Sequence, residues 1–589
     1  MIMKIKDIIV GSALFLMAAP FAGAQDLDPT VVVNRAYEGK LVEMHKASID
    51  MAVPDSVSSF ALDFDYLVFD KPYKGADGFT PSVLTMKPAP TVYEPMKMYL
   101  NVGAGYTLHP TLDFVWSPFR SNSFKMDVYA VHRSYVGAYR SFKPIASNEG
   151  KMMVEASREP GDYWSGYDFM SQAGVDGRYE RDQMSMDFDV AYYGLASKDW
   201  RKTRMYDAVD AKVGLRSKPK NASYFMYDVQ AAYRFGEDKI NFIDGDGVYV
   251  GEHLFDLDAT LGQIITGGHE ISGDIEAEVA AYSYAGQSMV SGDISIVPHY
   301  VLRKGRWMLD AGVRISKIIR TDDPYGWFDA KEQIVYPDVT ASFDMIQDAM
   351  RVYACLGGGN KLNTYSSLLK RNHHFDTSFA SGAYPLMDVT VERVSASVGL
   401  EGRIGSAFSY DLRTGYVNYA NDILDAVLID TDPVSGARIY QPGAGYAPYQ
   451  KYYAAFDWRL ANEDFSFDGN VVYSHVWGLE NSSGLFKPAA LTGDVSFEYN
   501  WNKRIFAGID CNFSTGRQGG MWVKIPGGPG VEEAVIPGFA DLGVSFEYAL
   551  TRAFSLWARG GNLLNMSIQR NPLYVEKGVN FTVGICLNL

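Results

Sequence analysis

The string Val495-Ser496-Phe497-Glu498-Tyr499 recurs forty-nine residues later as Val544-Ser545-Phe546-Glu547-Tyr548. Each copy places a glutamate inside an apolar run and is soon followed by a two-residue break, Asn502-Lys503 or Thr551-Arg552. Successive side chains of a β-strand point to opposite faces, so Val, Phe and Tyr share one face and Ser and Glu share the other. The glutamate therefore faces either bulk water on a soluble sheet or a water-filled interior.

The same alternation recurs from about residue 97 to the end of the chain, which favours strands with one apolar and one small or polar face. It includes a terminal strand that ends the sequence. Further apolar faces consist of Phe225, Tyr227, Val229, Ala231 and Tyr233, of Val339, Ala341, Phe343 and Met345, and of Phe581, Val583, Ile585, Leu587 and Leu589.

Short and long connections alternate between these strands. Tight breaks fall at Lys304-Gly305, Gly405-Ser406 and Glu463-Asp464, among others, and the long polar or Gly/Pro-rich stretches lie near 320–332, 358–384, 421–449, 479–488, 515–536 and 563–576. Bacterial outer-membrane barrels have this layout, with short periplasmic turns and longer extracellular loops, whereas a soluble sandwich or propeller has no physical reason for it. The sequence predicts an all-β fold, a large transmembrane antiparallel β-barrel of about 22 strands (range 20–24) with a short irregular N-terminal segment.

Composition agrees with this class of protein. The 589-residue chain is 47% hydrophobic and 14% aromatic. Past its start we find no uninterrupted apolar stretch long enough to form a transmembrane helix. The net charge of −16 argues against nucleic-acid binding, which needs a basic surface.

The chain divides into three expected parts. Residues 1–24 read as a signal peptide, with a basic start, an apolar stretch and a small-residue cleavage site at Ala22-Gly23-Ala24. Residues 25–96 are proline-rich, which disfavours interior strands, and read as a pre-barrel segment that is periplasmic or lumenal; a small folded domain is the alternative. Residues 97–589 form the predicted barrel.

Catalytic and metal-binding patterns are weak. His373-His374 with Asp376 could bind a metal or act as acid and base, but the favoured interpretation is a solvated loop. The exported chain has three widely spaced cysteines, Cys355, Cys511 and Cys586, which indicate no disulfide framework. We expect no catalytic site, no metal and no cofactor, and therefore no enzyme.

One strand face collects acidic residues. They are predicted to line the lumen, because a charge facing lipid is costly and a charge facing water is not. An acidic lumen favours cations and cationic solutes; alternatively, the carboxylates only hydrate the lumen or pair with Arg403 and Arg413. The predicted lumen-lining residues are Asp338, Asp344, Glu401, Asp494, Glu498 and Glu547. Aromatic residues near the turns are expected to form interfacial girdles, namely Tyr452, Tyr453, Trp458, Trp501 and Trp557.

The C-terminal sequence resembles the end of TonB-dependent receptor barrels, in which an Asn-Leu-aromatic-Asn corner precedes the final strand. Here the corner is Asn562-Leu563-Leu564-Asn565, with Leu where Phe is usual. The stretch from Pro385, with Glu392, is similar to their middle strands, and the stretch from Met98 resembles a subgroup that lacks the plug domain. The resemblance covers most of residues 97–589.

Two departures qualify the resemblance. Residues 25–96 are too few to supply the plug of such receptors. The chain ends in Leu589 where outer-membrane barrels usually end in an aromatic residue, although the terminal strand is compatible with their assembly signal. The residues of that predicted signal are Phe581, Val583, Ile585, Leu587 and Leu589.

The resemblance implies a location in the outer membrane of a Gram-negative bacterium and a role as a pore or transporter that lacks its plug. A structural or assembly subunit of an outer-membrane protein complex is the alternative. Expected partners are outer-membrane lipids and lipopolysaccharide, the barrel assembly machinery and other envelope proteins, but no nucleic acid.

Overall fold

A computed structural model describes residues 97–589 apart from 107, 147–150, 158–160, 219–224, 244, 266, 322–332, 348, 376–386, 432–435, 437, 481–482 and 526–527. The expected signal peptide and pre-barrel segment, residues 1–24 and 25–96, lie outside the described residues. None of the helices in the described part is long and apolar enough to cross a membrane.

The described part contains one helix, α1 (Tyr365–Arg371), and twenty-six strands. The strands are β1 (Met98–Tyr106), β2 (Thr111–Arg120), β3 (Phe124–Arg140), β4 (Phe142–Ala146), β5 (Met152–Ala156), β6 (Tyr163–Glu180), β7 (Met184–Lys198), β8 (Lys202–Ser217), β9 (Phe225–Phe242), β10 (Val248–Ile265), β11 (His269–Tyr284), β12 (Gln287–Lys304), β13 (Trp307–Arg320), β14 (Val335–Ile346), β15 (Met350–Leu362), β16 (Val389–Ile404), β17 (Phe408–Thr431), β18 (Arg438–Ala461), β19 (Phe465–Trp477), β20 (Leu491–Trp501), β21 (Ile505–Ser514), β22 (Arg517–Ile525), β23 (Gly528–Ile536), β24 (Phe539–Ala549), β25 (Phe554–Gly561) and β26 (Asn580–Asn588).

Twenty-two of these strands form one closed antiparallel barrel, which confirms the predicted fold class and strand number. Each barrel strand pairs with its neighbours along the chain, except that β3 pairs with β6 and β21 with β24 across inserted hairpins. Closure is made by β1 and β26, in register from Tyr99 opposite Asn588 to Tyr106 opposite Phe581. A closed sheet leaves no unpaired edge, which a membrane-spanning sheet requires.

The alternation inferred from the repeated string is present in the wall. Phe497, Tyr499, Val544, Phe546 and Tyr548 all belong to the large hydrophobic side chains that the structure exposes. These side chains cover the surface that lipid contacts, because apolar residues on the outside of a membrane barrel form its lipid-facing band.

One of the expected girdle residues is in the wrong place. Trp501 and Tyr452 are exposed, as the prediction requires, but Trp557 is buried and donates a 2.5 Å hydrogen bond to Asn101. Its neighbour Leu556 occupies the exposed face of β25, so strand alternation turns the indole to the other side. A Cβ built on Gly584 would lie 2.3 Å from this ring, so the neighbouring glycine provides the space for it.

The two ends of the barrel differ as expected, but several of the predicted long loops are themselves structured. The stretch 421–449 is mostly a continuation of the β17–β18 hairpin, with a register slip between Tyr419 and Asp422. Within the stretch 515–536, β22 and β23 pair with each other. A further pair, β4 with β5, lies outside the predicted long stretches. The stretch 358–384 contains α1.

The hairpins at the long-loop end pair with one another in a sheet that we call the cap. Its strand order is β18–β17–β22–β23–β5–β4, with parallel pairing of β17 to β22 at Leu428 opposite Trp522 and of β23 to β5 at Ala534 opposite Met152. Only the ends of β17 and β18 beyond the register slip take part. These hairpins leave the rim at three separate places, after β3, β17 and β21, and meet in one sheet at the long-loop end of the barrel.

Candidate functional site

Residues 363–375, which we call the α1 segment, follow directly after wall strand β15. The Thr364 side chain caps the helix by accepting a 3.2 Å hydrogen bond from the Ser367 N–H, and Arg371 lies in the last turn, where a cation suits the helix dipole. Leu368 and Leu369 are almost fully buried. Because a helix this short is marginal alone, its stability must come from what it packs against.

The α1 segment packs against the inner face of the barrel wall. On β8 it contacts Arg204, which alternates with the exposed Met205 on the lipid side. From β15 the segment extends to β6, where the His373 ring lies 2.9 Å from Asp168. The eight strands β7–β14 separate β15 from β6 around the wall, so the segment lies across the interior at the long-loop end.

A buried ion pair holds this segment in place. Arg204 donates through Nε to Asp238 at 2.9 Å, and neither side chain is exposed to solvent. The same guanidinium donates to the backbone carbonyls of His373 at 2.8 Å and Phe375 at 2.6 Å, and the Tyr365 hydroxyl donates to Asp238. Both the Arg204 and the Tyr365 bonds go to Asp238 Oδ2, and Oδ1 is buried without a partner among the described residues. Removing one member of a buried pair is strongly destabilising, because the other charge is then left unpaired.

A second polar contact lies beside it. Glu252 of β10 accepts a 3.2 Å hydrogen bond from the Ser366 N–H and a 3.4 Å bond from the Tyr206 hydroxyl. On β8, Lys202 donates to the Phe375 carbonyl at 3.1 Å. The polar atoms of the segment are therefore matched to groups on three consecutive wall strands, β8, β9 and β10.

The solvated-loop interpretation of His373-His374 is wrong. His374 is buried and its ring stacks on Tyr574 at 4.0 Å between centroids, while Tyr574 donates to Asp199 at 3.0 Å. Burial lowers the pKa of His374 to about 4. Burial also acts to lower the pKa of His373, but Asp168 outweighs it and holds that pKa above its ordinary value. Their companion in the sequence, Asp376, lies outside the described residues.

Asp425 connects the α1 segment to the cap. Its carboxylate forms an ion pair with Arg371 of α1 at 2.9 Å and a second, shorter ion pair with Arg517 of β22. Its side chain is only 12% exposed. One carboxylate of the β17 extension thus holds the lumen helix and the neighbouring cap hairpin together. We call this group of three residues the Asp425 latch.

The cap itself has apolar cores. Trp522 of β22 is buried and donates a hydrogen bond to the Ser483 carbonyl at 2.9 Å. Two buried clusters lie in this region and a third surrounds α1. The main members of the two cap clusters are Val154, Val427, Ile429, Phe486, Met521, Ala534, Ile536, Leu424, Leu428, Leu485 and Trp522.

The six acidic candidates do not form one cluster. Arg351 binds both Asp344 at 2.7 Å and Glu401 at 3.2 Å, and Arg314 lies 3.7 Å from Asp338.

The other three lie on β20 and β24, on a separate part of the wall. Glu547 accepts a 2.5 Å bond from Ser555, Asp494 accepts from Asn512, and Glu498 lies opposite Gly508. Their role in lining the lumen for a solute stays a prediction, as does the assembly role of Phe581, Val583, Ile585, Leu587 and Leu589.

Sequence reasoning missed Arg204, Asp238 and Glu252, because each follows the same alternation as any other lumen-side residue. A weak signal for Asp425 existed in the continuous apolar run around it, which no lipid-facing strand needs. Within the described residues there is no group of three or more His, Cys, Asp or Glu side chains that could hold a metal ion. The three cysteines are free.

Comparisons with known proteins agree with the fold. No protein-family model matches the chain, and no curated protein matches it. Solved structures do: the FrpB iron transporter from Neisseria meningitidis has a TM-score of 0.58 at 10% identity, covering 84% of this chain and 82% of that one.

Two further structures are similar to the same extent. The ferric enterobactin receptor PfeA from Pseudomonas aeruginosa, solved as a mutant, has a TM-score of 0.55 at 10% identity over 83% of this chain and 80% of that one. The copper transporter OprC has a TM-score of 0.57 at 10% identity over 84% and 81%. The chain therefore has the fold of TonB-dependent outer-membrane receptors.

Proposed function

We propose that this protein is an outer-membrane transporter of TonB-dependent receptor-like type that lacks a plug, and that the α1 segment and the cap form its gate. The observation that carries the proposal is the α1 segment, which extends from β15 to Asp168 of β6 across the barrel interior. A lumen of this width is either open or filled by part of the protein, and the α1 segment is the part of the described chain that enters it.

Two kinds of contact hold the gate closed. The α1 segment makes hydrogen bonds with Arg204, Asp238 and Glu252 of the wall, and water can replace these bonds when the segment moves away. Leu368, Leu369 and Phe375 pack in the buried apolar cluster around α1, so opening must also uncover apolar surface. The Asp425 latch couples this movement to the cap. An opened lumen would present the six predicted acidic residues, favouring cations and cationic solutes over anions.

A structural or assembly subunit is the second candidate, and the cap is the observation that favours it. Its hairpins are held together by two apolar clusters that include Phe486, Met521 and Trp522. Such a surface resembles a fixed docking platform more than a mobile lid, because apolar cores resist opening.

A reversible crosslink separates the two candidates. Ile429 and Val523 are register partners on β17 and β22, so cysteines at both positions would join two cap hairpins. In a background without the three native cysteines, the transporter proposal expects ion conductance in planar bilayers when this pair is reduced and a closed barrel when it is oxidised.

The matched control places cysteines at Asp430 and Ile439, register partners within the β17–β18 hairpin, where a crosslink joins no second hairpin. Its conductance should not depend on oxidation. A reduced protein that neither conducts nor releases solute from liposomes contradicts the transporter proposal, and stoichiometric co-purification with other envelope proteins would then support the structural one.

A further inference from the structure

A cavity of about 460 Å³ lies at the long-loop end, between the barrel rim and the cap. Arg140 and Tyr163 line it from the rim, where they are register partners at the ends of β3 and β6. Glu155 lines it from cap strand β5, and Asn565 from the connection between β25 and β26. Its volume is within the range of small-molecule binding sites.

The cavity brings together opposite charges that are not used elsewhere. Among the described side chains, neither Arg140 nor Glu155 has an ion-pair partner within 4.0 Å, although the wall and cap contain many such pairs. Both side chains are half-buried. A charged group that is partly removed from water and unpaired gains most from a ligand of opposite charge.

The side of the cavity formed by the β25–β26 connection includes the corner Asn562-Leu563-Leu564-Asn565 noted in the sequence. Asn562 is buried and binds the Met566 backbone on both sides, donating to its carbonyl and accepting from its N–H, each at 2.9 Å. Asn565 takes a left-handed conformation with φ of 51°, which asparagine tolerates better than most residues. The corner therefore holds Asn565, Met566 and Ser567 rigidly against the cavity.

We infer that this cavity is a binding site for a small zwitterionic solute, with Arg140 holding its carboxylate and Glu155 its ammonium group. A guanidinium binds a carboxylate through two parallel hydrogen bonds, and a carboxylate accepts from an ammonium group. The half-exposed ring of Tyr163 and the Met566 thioether provide apolar surface for the part between the two charges. The binding proposed for this site does not depend on whether the lumen conducts.

Calorimetric titration of the full-length protein in mild detergent tests the inference with trialanine as the probe. We expect trialanine to bind, and both N-acetyl-trialanine and trialanine amide to bind at least tenfold more weakly. Arg140→Gln should weaken trialanine at least tenfold yet leave the amide unchanged, because the amide has no carboxylate to lose. Glu155→Gln should likewise affect trialanine but not the acetylated peptide.

Two variants serve as charge-matched controls on the cap. Lys524→Gln and Glu532→Gln remove surface charges that pair with Asp430 and Arg438, respectively, and should leave trialanine binding unchanged. The inference is overturned if trialanine does not bind at 10 mM or if the blocked peptides bind equally well. It is also overturned if inorganic phosphate displaces trialanine by binding Arg140 alone. Because the assay measures binding in detergent, its result is independent of the conductance test of the proposed gate.

Discussion

Replacing Asp425 with Asn should loosen the cap without disturbing the barrel wall. The substitution keeps the shape of the side chain but removes the charge that Arg371 and Arg517 share. Asp425 is 12% exposed in its side chain, so the loss belongs to the class of buried pairs, where removing one partner costs about 3–5 kcal/mol. At about 1.4 kcal/mol for each factor of ten, cap opening should become roughly a hundredfold to a few thousandfold more frequent.

Hydrogen exchange measured by mass spectrometry can read this opening directly. The exchange rate of the peptide that contains β22 should rise by the same factor as the opening equilibrium, while peptides from wall strand β14 keep their rates. Asp430→Asn is the matched control, because Asp430 also joins β17 to β22, through an exposed pair with Lys524 at 3.2 Å. Exposed pairs contribute about 0–1 kcal/mol, so this control should change exchange less than about sixfold.

The reasoning is refuted if Asp425→Asn and Asp430→Asn change exchange of β22 equally, or if the rise for Asp425→Asn is below tenfold. Either result would mean that apolar packing alone holds the cap. A parallel rise in bilayer conductance with Asp425→Asn would connect the latch to the gate.

Three further predictions test other parts of the structure. The pKa of about 4 for buried His374 lies below the ordinary value near 6.5, so the unfolded chain binds the proton first and about 3 kcal/mol of stability is lost as pH falls from 6.5 to 4. His374→Gln should remove most of that loss, seen as a smaller drop in Tm between pH 7 and 4.5; an unchanged drop would contradict it. Trp557→Phe leaves the Asn101 oxygen without its donor where β1 and β26 close the barrel, and it should lower the free energy of unfolding in urea by about 1–3 kcal/mol. An unchanged free energy of unfolding would mean that this bond does not stabilise the closure. Phe497→Lys, on the lipid side, should cost about 2–4 kcal/mol in folding into bilayers, whereas Ser496→Lys, beside Asp468 on the other face, should be nearly neutral; equal costs would reverse the assignment of faces.

The barrel could be predicted from the sequence because lipid imposes a strong condition on every strand. A residue such as Phe546 must be apolar and its neighbour Glu547 must not face lipid, so the pattern appears locally and repeats. Turn residues between strands, such as Asn502 and Lys503 with their positive φ values, mark the end of the barrel that has short connections. Neither signal requires knowledge of which strands are neighbours.

The contacts of the α1 segment could not be predicted, because they join residues that are far apart in the sequence. Arg204 and Asp238 look like ordinary lumen-side residues, and only the folded chain places them against Tyr365. The prediction of a solvated loop at His373-His374 is wrong for the same reason. A polar pair in a long connection indicates exposure to water, whereas Tyr574 from a distant loop stacks on His374. Trp557 differs, since its alternation with Leu556 was sufficient to place it on the inner side.

Breaks in the alternation carry the information that the regular pattern does not. In β7, the exposed Tyr192 is followed by Tyr193 and Leu195, which are buried against the cluster around α1. A wall strand needs apolar residues on both faces only where something other than water covers the lumen side. The run from Ala426 to Ile429 in β17 is apolar on both faces for the same reason, because it leaves the wall and enters the cap. The positions where both faces become apolar therefore mark, in the sequence itself, how far the α1 segment and the cap cover each strand.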